Sequence, residues 1–298
     1  MGAALALATR GRGLTGANPS VGCVLVRDGR VVGRGWTQPG GRPHAEAMAL
    51  AEAADAAEGA IAYVTLEPCA HESERGPACA NLLVAAGVAG VVVAHPDPDP
   101  RTDGRGIARL RAAGIHVEEG PSRAEAARTL AGFLTRLKHG RPHVTLKLAM
   151  SLDGALAMGD GTSQWITGPE ARGHAHLERS RHEHILVGRG TMEADLPRLD
   201  VRLAGLEQRS PEPIVLTSGP SPLPGNHLLV EGGAAAAAAF LRAGLADRLL
   251  LYRAPILVGG GLTLPDIGLE RLGDAHGSWR LADTRRLGVD RLEVYERA

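Results

Sequence analysis

The sequence predicts two consecutive α/β domains, and three observations carry that reading. Short apolar runs of strand character alternate with alanine- and leucine-rich helical stretches along most of the 298 residues. The alternation is broken at His139-Gly140-Arg141-Pro142, where glycine and proline punctuate the chain, and it then restarts. The composition, 44% hydrophobic and 22% charged, gives enough apolar surface for two packed cores.

The elements follow in order. Met1 to Thr9 is apolar but short, with neither the basic stretch nor the cleavage site of a signal peptide, and reads as the start of a helix. Two apolar runs, VGCVLV and VVGRGW, flank Arg27-Asp28-Gly29-Arg30, a hairpin signal. HAEAMALAEAADAAEG reads as a helix by propensity, closed by its glycine. The strand IAYVTLE runs into Pro68-Cys69, a helix begins near Cys79, and VAGVVVAH, IARLRAAG and IHVEEG supply strand, helix and strand. A helical stretch from Arg123 to Lys138 leads to the break. Beyond it, strands at HVTLKLAM, HILVG, PIVLTS, HLLVEGG and LLLYRAPILVGG are interleaved with a helix from Pro169 to Arg181 and another across the alanine run.

Charge and cysteine usage narrow the function. The formal net charge is zero and aromatic residues make up 3% of the chain, so neither a basic field nor stacking platforms draw it to nucleic acid. No apolar run reaches the roughly eighteen residues of a membrane span, since the alanine run is closed by Arg242. Cys23, Cys69 and Cys79 are too few for a disulfide framework and suit a reducing compartment. A cytoplasmic protein acting on a small molecule is predicted.

The chemistry concentrates in His44-Ala45-Glu46, at the start of the first strong helix, and in Pro68-Cys69, with Cys79 ten positions on. One imidazole and two thiolates fill three positions of a tetrahedral zinc site and leave the fourth to water, as in catalytic sites. Zinc lowers the pKa of bound water towards about 7. Glu46, two residues from His44, is placed to shuttle protons. H-x-E followed by P-C is the pattern of zinc deaminases. Nine residues separate the cysteines instead of two, which points away from cytidine and transfer-RNA deaminases. Cys23, in a hairpin strand, reads as core. His174, His176, His182 and His184 are spread around a helix and into the next strand, a spacing that gathers no second metal.

Longer motifs add a resemblance. Asn18-Pro19-Ser20-Val21-Gly22-Cys23, His44-Ala45-Glu46, Tyr63-Val64-Thr65-Leu66-Glu67-Pro68-Cys69, Gly104-Arg105-Gly106, Lys147-Leu148-Ala149-Met150-Ser151-Leu152-Asp153-Gly154, Ser163-Gln164-Trp165-Ile166-Thr167 and Val230-Glu231-Gly232-Gly233 extend over most of the chain. In this order they resemble the bifunctional deaminase-reductases of riboflavin biosynthesis. The resemblance implies a cytidine-deaminase-like three-layer α/β domain over residues 1–140 and a dihydrofolate-reductase-like α/β domain over residues 141–298. It implies zinc-dependent hydrolytic deamination of a diaminopyrimidine carrying ribose phosphate, then NADPH-dependent reduction of the ribosyl group, in a homo-oligomer. His44, Cys69 and Cys79 would hold one zinc, with Glu46 catalytic. NADPH contacts would fall on Ala149, Trp165, Thr191, Asp195, Ser218, Gly232 and Gly233, and substrate contacts on Ser163, Arg179, Leu199, Arg202 and Glu231.

The chain also departs from that family's pattern. The loop between the cysteines, AHESERGPA, is one residue longer, keeping His71. Asp99 stands where asparagine is usual, Asp195-Leu196-Pro197 keeps only the first of two aspartates, and only twelve residues separate Ser218 from Glu231. That shortening predicts a reductase sheet lacking an element. A narrower reading therefore keeps the deaminase and gives the C-terminal half a substrate-binding or dimerisation role without redox chemistry.

Overall fold

A computed structural model describes residues 1–190, 192, 197–216 and 223–298 of the chain. It divides into two compact units, Met1–Gly140 and Arg141–Ala298.

In the first unit, α1 (Gly2–Gly11) precedes a hairpin of β1 (Gly22–Arg27) and β2 (Arg30–Trp36). Then come α2 (Ala45–Ala53), β3 (Ile61–Val64), α3 (Cys79–Ala85), β4 (Gly90–Val93), α4 (Arg105–Ala112), β5 (His116–Glu119), α5 (Arg123–Thr129) and α6 (Ala131–His139). The strands form one sheet, β2-β1-β3-β4-β5, antiparallel through β2-β1-β3 and parallel from β3 to β5. Asp28 and Gly29 both take positive φ, 51° and 74°, the turn that Asp-Gly favours between twisted strands. Helices α1 and α2 pack on β1 and β2 from opposite faces, giving three layers around a core that includes Leu25, Val64, Leu83 and Leu110. Cys23 is fully buried in that core, as its strand position predicts.

Two helices are shorter than the sequence predicts. The segment from residue 44 is α-helical only to Ala53, because Ala54 takes φ 45° and a 3-10 turn, Ala54–Ala57, follows. Uniform alanine propensity does not mark that stop, and the visible signal is Gly59. The stretch from Arg123 is split into α5 and α6 at Leu130.

The second unit contains β6 (His143–Met150), α7 (Pro169–Arg179), β7 (His184–Gly188), β8 (Glu212–Leu216), β9 (His227–Val230), α8 (Ala234–Arg242), β10 (Arg248–Arg253), β11 (Trp279–Leu287) and β12 (Asp290–Arg297). Among the described residues its sheet runs β11-β12-β10-β6-β9-β7-β8, parallel from β10 to β8, with an antiparallel hairpin at the other edge. That hairpin is absent from the sequence reading. β11 is rich in arginine, exposed along most of its length, and shifts register between Leu281 and Asp283, which hides its alternation. β8 forms the opposite edge, and its connection to β9 passes through residues outside the described set. The Ser151-Leu152-Asp153-Gly154 motif ends β6: the Asp153 carboxylate accepts from Ser151 Oγ (2.5 Å) and from the backbone N–H groups of Val258 (3.2 Å) and Gly259 (2.8 Å), tying down the loop after β10.

A close approach sets the height of α2 above the first sheet. A Cβ on Gly35 of β2 would stand 2.0 Å from the Ala45 carbonyl oxygen and 2.7 Å from the Ala49 nitrogen. Gly35→Ala is expected to lift α2, cost about 1–3 kcal/mol as an overpacking change, and lower zinc content by displacing His44. Unchanged melting temperature and metal content would show that α2 does not depend on this contact.

Candidate active sites

The first site lies where β3 and α3 meet the start of α2. His44 is the N-cap residue of α2, Cys69 sits in the loop after β3, and Cys79 is the first residue of α3. His44 Nδ1 is 3.3 Å from Cys79 Sγ and 3.6 Å from Cys69 Sγ, and the Cys79 N–H donates to Cys69 Sγ at 3.3 Å. The three donor atoms lie within 4.8 Å of one another. Tetrahedral zinc with N and S ligands needs donor separations of roughly 3.5–3.8 Å, so the set fits the ion. No other group of three such ligands occurs among the described residues. The hydrogen bond between the sulfurs holds the Cys69 thiol well below the ordinary thiol range and pushes Cys79 up. One sulfur of the pair is therefore readily ionised.

Glu46, in the first turn of α2, is 3% exposed. Burial pushes its carboxyl above the usual carboxylate range; the neighbouring His44 opposes this and Cys69 adds to it. A carboxyl raised by burial beside a metal site suits proton transfer.

The wall opposite is built by Glu67, which the sequence offers only as part of a motif. Its buried carboxylate accepts four backbone N–H groups, from Asp97 (3.2 Å), Gly104 (3.1 Å), Gly106 (3.0 Å) and Ile107 (3.1 Å). It thus caps α4 and fixes the loop after β4. Gly106 permits this, since a Cβ there would stand 1.9 Å from the Pro68 carbonyl oxygen. That loop presents Asp97, pushed up to about 7 by burial, and Asp99, whose carboxylate is paired with Arg101. The surrounding cleft has about 230 Å³ of free volume and is lined in part by Asn18, Glu46, His71, Arg75, Asp97 and Arg101. The longer cysteine loop is tied across it: Arg75 donates to the Gly40 carbonyl (2.8 Å) and Arg42 to that of Pro77 (3.4 Å).

In the second unit the structure brings Glu231 and Arg179 together at the carboxyl end of β9. Glu231 follows β9, and its side chain, 6% exposed, receives Arg179 Nε at 2.7 Å and Nη2 at 3.0 Å, with Lys147 Nζ of β6 at 3.7 Å. Burial pushes the Glu231 carboxyl up, but Lys147 and Arg179 outweigh it and hold it at about 2. Arg179 also donates to the carbonyls of Arg198 (3.2 Å) and Asp200 (3.0 Å), so its donors serve Glu231 and the backbone. The Arg202 side chain, 47% exposed, lies 3.6 Å from Asp200, and its backbone N–H donates to His176 Nδ1 at 3.3 Å. Leu199 is a core side chain packed with Ile185, Val187 and Leu229. Ser163 and Trp165 lie on the connection between β6 and α7, with Arg172 over the exposed Trp165 ring at 4.8 Å. Ala149 is half-buried on β6. Gly233 is the N-cap of α8, and a Cβ on Gly232 would meet the Ala236 side chain at 2.5 Å, so position 232 favours glycine at the start of this helix. Thr191, Asp195 and Ser218 lie outside the described residues. Lys147 was legible as a charge inside an apolar strand, HVTLKLAM, where only a paired cation is tolerated.

Comparison with known proteins settles the family. The cytidine and deoxycytidylate deaminase zinc-binding region matches residues 1–95, and the RibD C-terminal domain matches residues 142–224 and 221–291. The chain is 40% identical to the riboflavin biosynthesis protein RibD of Escherichia coli, over 97% of this chain and 96% of that protein. The structure of Acinetobacter baumannii RibD aligns with a TM-score of 0.87 at 34% identity, over 99% of this chain and 97% of that one. That of the Thermotoga maritima diaminohydroxyphosphoribosylaminopyrimidine deaminase/5-amino-6-(5-phosphoribosylamino)uracil reductase aligns with a TM-score of 0.86 at 28% identity, over 100% and 97%. The chain belongs to the RibD family. Like that family it carries both the deaminase and the reductase domain, in that order, and is a bifunctional enzyme of riboflavin biosynthesis using zinc and NADPH.

The charge pair in the reductase domain has a pH signature. A carboxylate held at about 2 rather than at its usual 4.5 contributes stability above the higher value and loses it as the pH falls towards the lower. Glu231→Gln is expected to destabilise by on the order of 3 kcal/mol at pH 7, with the gap to wild type closing between about pH 4.5 and 2. A gap that denaturant titrations find independent of pH would remove the ion pair as its cause.

Proposed function

We propose that the first unit hydrolytically deaminates 2,5-diamino-6-(5-phosphoribosylamino)pyrimidin-4-one and that the second reduces the ribosyl group of the product to ribityl with NADPH. The observation that carries the reading is the convergence of His44 Nδ1, Cys69 Sγ and Cys79 Sγ beside the buried Glu46 carboxyl. These three side chains would hold the zinc, which supplies a Lewis acid and a water made nucleophilic at neutral pH. Glu46 accepts the proton of the attacking water, passes it to the ring nitrogen, and returns one to the departing ammonia. Burial keeps bulk water from competing for that proton.

In the second unit NADPH supplies the hydride, and the chain's residues position both partners. The turn at Gly232 and Gly233 and the residues Ala149, Trp165, Thr191, Asp195 and Ser218 would hold the cofactor. Ser163, Leu199, Arg202 and Glu231 contact the substrate. Arg179 acts mainly by fixing Glu231 and the backbone at residues 198 and 200, so the exposed Arg202 is the better partner for the ribose phosphate. The enzyme works in the cytoplasm as a homo-oligomer, a reading supported by the exposed Leu257, Leu272, Leu281 and Val289 of the second unit. No helix of the described residues is long and apolar enough to cross a membrane.

Two variants separate the roles. Glu46→Gln should lower deamination by at least about a hundredfold while zinc content and NADPH oxidation with the deaminated substrate stay at wild-type levels; zinc loss would contradict its role as proton carrier. Cys79→Ala should lose zinc, and full occupancy in metal analysis would remove it as a ligand.

A further inference from the structure

We propose that Arg101 is the side chain through which the deaminase cleft recognises the phosphate of its substrate, with Asp99 as the residue that positions it; this rests on the deaminase reading above. Three arginines line the cleft. Arg42 and Arg75 each reach across to a backbone carbonyl of the facing loop. Arg101 differs. Its Nε lies 3.0 and 3.1 Å from the two Asp99 oxygens and its Nη2 2.5 Å from one of them. The Asp99 carboxylate also accepts the Arg101 backbone N–H at 2.9 Å, and the Asp99 N–H donates to Asp97 at 3.0 Å, so the anchor itself is held.

The Asp99 side chain is 11% exposed and that of Arg101 67%. The guanidinium is therefore fixed along one edge, while Nη1 makes no hydrogen bond among the described residues. An exposed arginine normally loses rotamer freedom when it grips a ligand; here the anchor has already removed that freedom. The cleft needs such a group, because the loop that forms its wall carries Asp97 and Asp99, and a phosphate dianion entering there meets their field unless a cation intervenes. Arg101 both screens Asp99 and offers donors of the geometry that phosphate accepts.

This double role makes a specific expectation. Removing Arg101 takes away the phosphate donors and also uncovers the Asp99 carboxylate. The test is deamination kinetics of the full zinc-loaded chain on the phosphorylated pyrimidine and on its dephosphorylated nucleoside. Arg101→Ala should raise KM for the phosphorylated compound by about tenfold or more, the loss of one or two charge-assisted hydrogen bonds. Its kcat, its zinc content and its KM for the nucleoside should stay at wild-type values. Arg101→Lys should fall between, and Asp99→Asn combined with Arg101→Ala should recover part of the loss. Equal loss on both compounds, or no change in KM, would overturn the proposal. A wild-type chain that deaminates both compounds with equal KM would overturn it alone, and one that deaminates neither would overturn the reading of the site as well.

Discussion

Three donor atoms brought together from separate parts of the chain, His44 Nδ1, Cys69 Sγ and Cys79 Sγ, are the constraint on which the first unit is organised. His44 is placed by a helix seated on glycine of β2, Cys69 by the end of β3, and Cys79 by the start of α3. The elements that deliver them are short and alanine-rich, and α2 ends after nine residues. Such pieces have little apolar area to bury, so a metal that binds the folded arrangement alone adds directly to its stability.

Both units solve the same electrostatic problem at the carboxyl ends of parallel strands, where open α/β sheets place ligands. A buried acidic side chain is saturated with donors and made structural. In the deaminase domain four backbone N–H groups converge on Glu67 and fix the loop that lines the cleft. In the reductase domain Arg179 and Lys147 converge on Glu231. The two solutions differ in consequence. Amide donors leave Glu67 with the full loop as its partner, whereas cationic partners link Glu231 to a helix, a strand and the backbone at residues 198 and 200. The structural charge in the second unit is therefore also the one that shapes its site.

The sequence made the alternation of elements, the hairpin at Asp28-Gly29 and the zinc ligands legible because each has a local signal: period, turn chemistry or spacing. It did not reveal the stop at Ala54, since alanine carries no stop signal, nor the β11-β12 hairpin, whose edge strand is charged on exposed faces. Asp99, standing where asparagine is usual, reads in sequence as an added acid near a substrate that carries phosphate. The structure shows its charge already taken up by Arg101, two positions on, a pairing that depends on backbone conformation and not on residue type. Arg179 is the converse case. The resemblance makes it a substrate contact, and in the fold it also holds Glu231 and two backbone carbonyls.

The most direct measurement is X-ray absorption at the zinc edge of the purified full chain, with metal content determined on the same sample. One zinc per chain bound by two sulfurs at about 2.3 Å and by nitrogen and a further light atom at about 2.0 Å is the predicted result. A four-sulfur shell, or a folded chain that retains no zinc, would contradict the assignment of an open catalytic site to His44, Cys69 and Cys79.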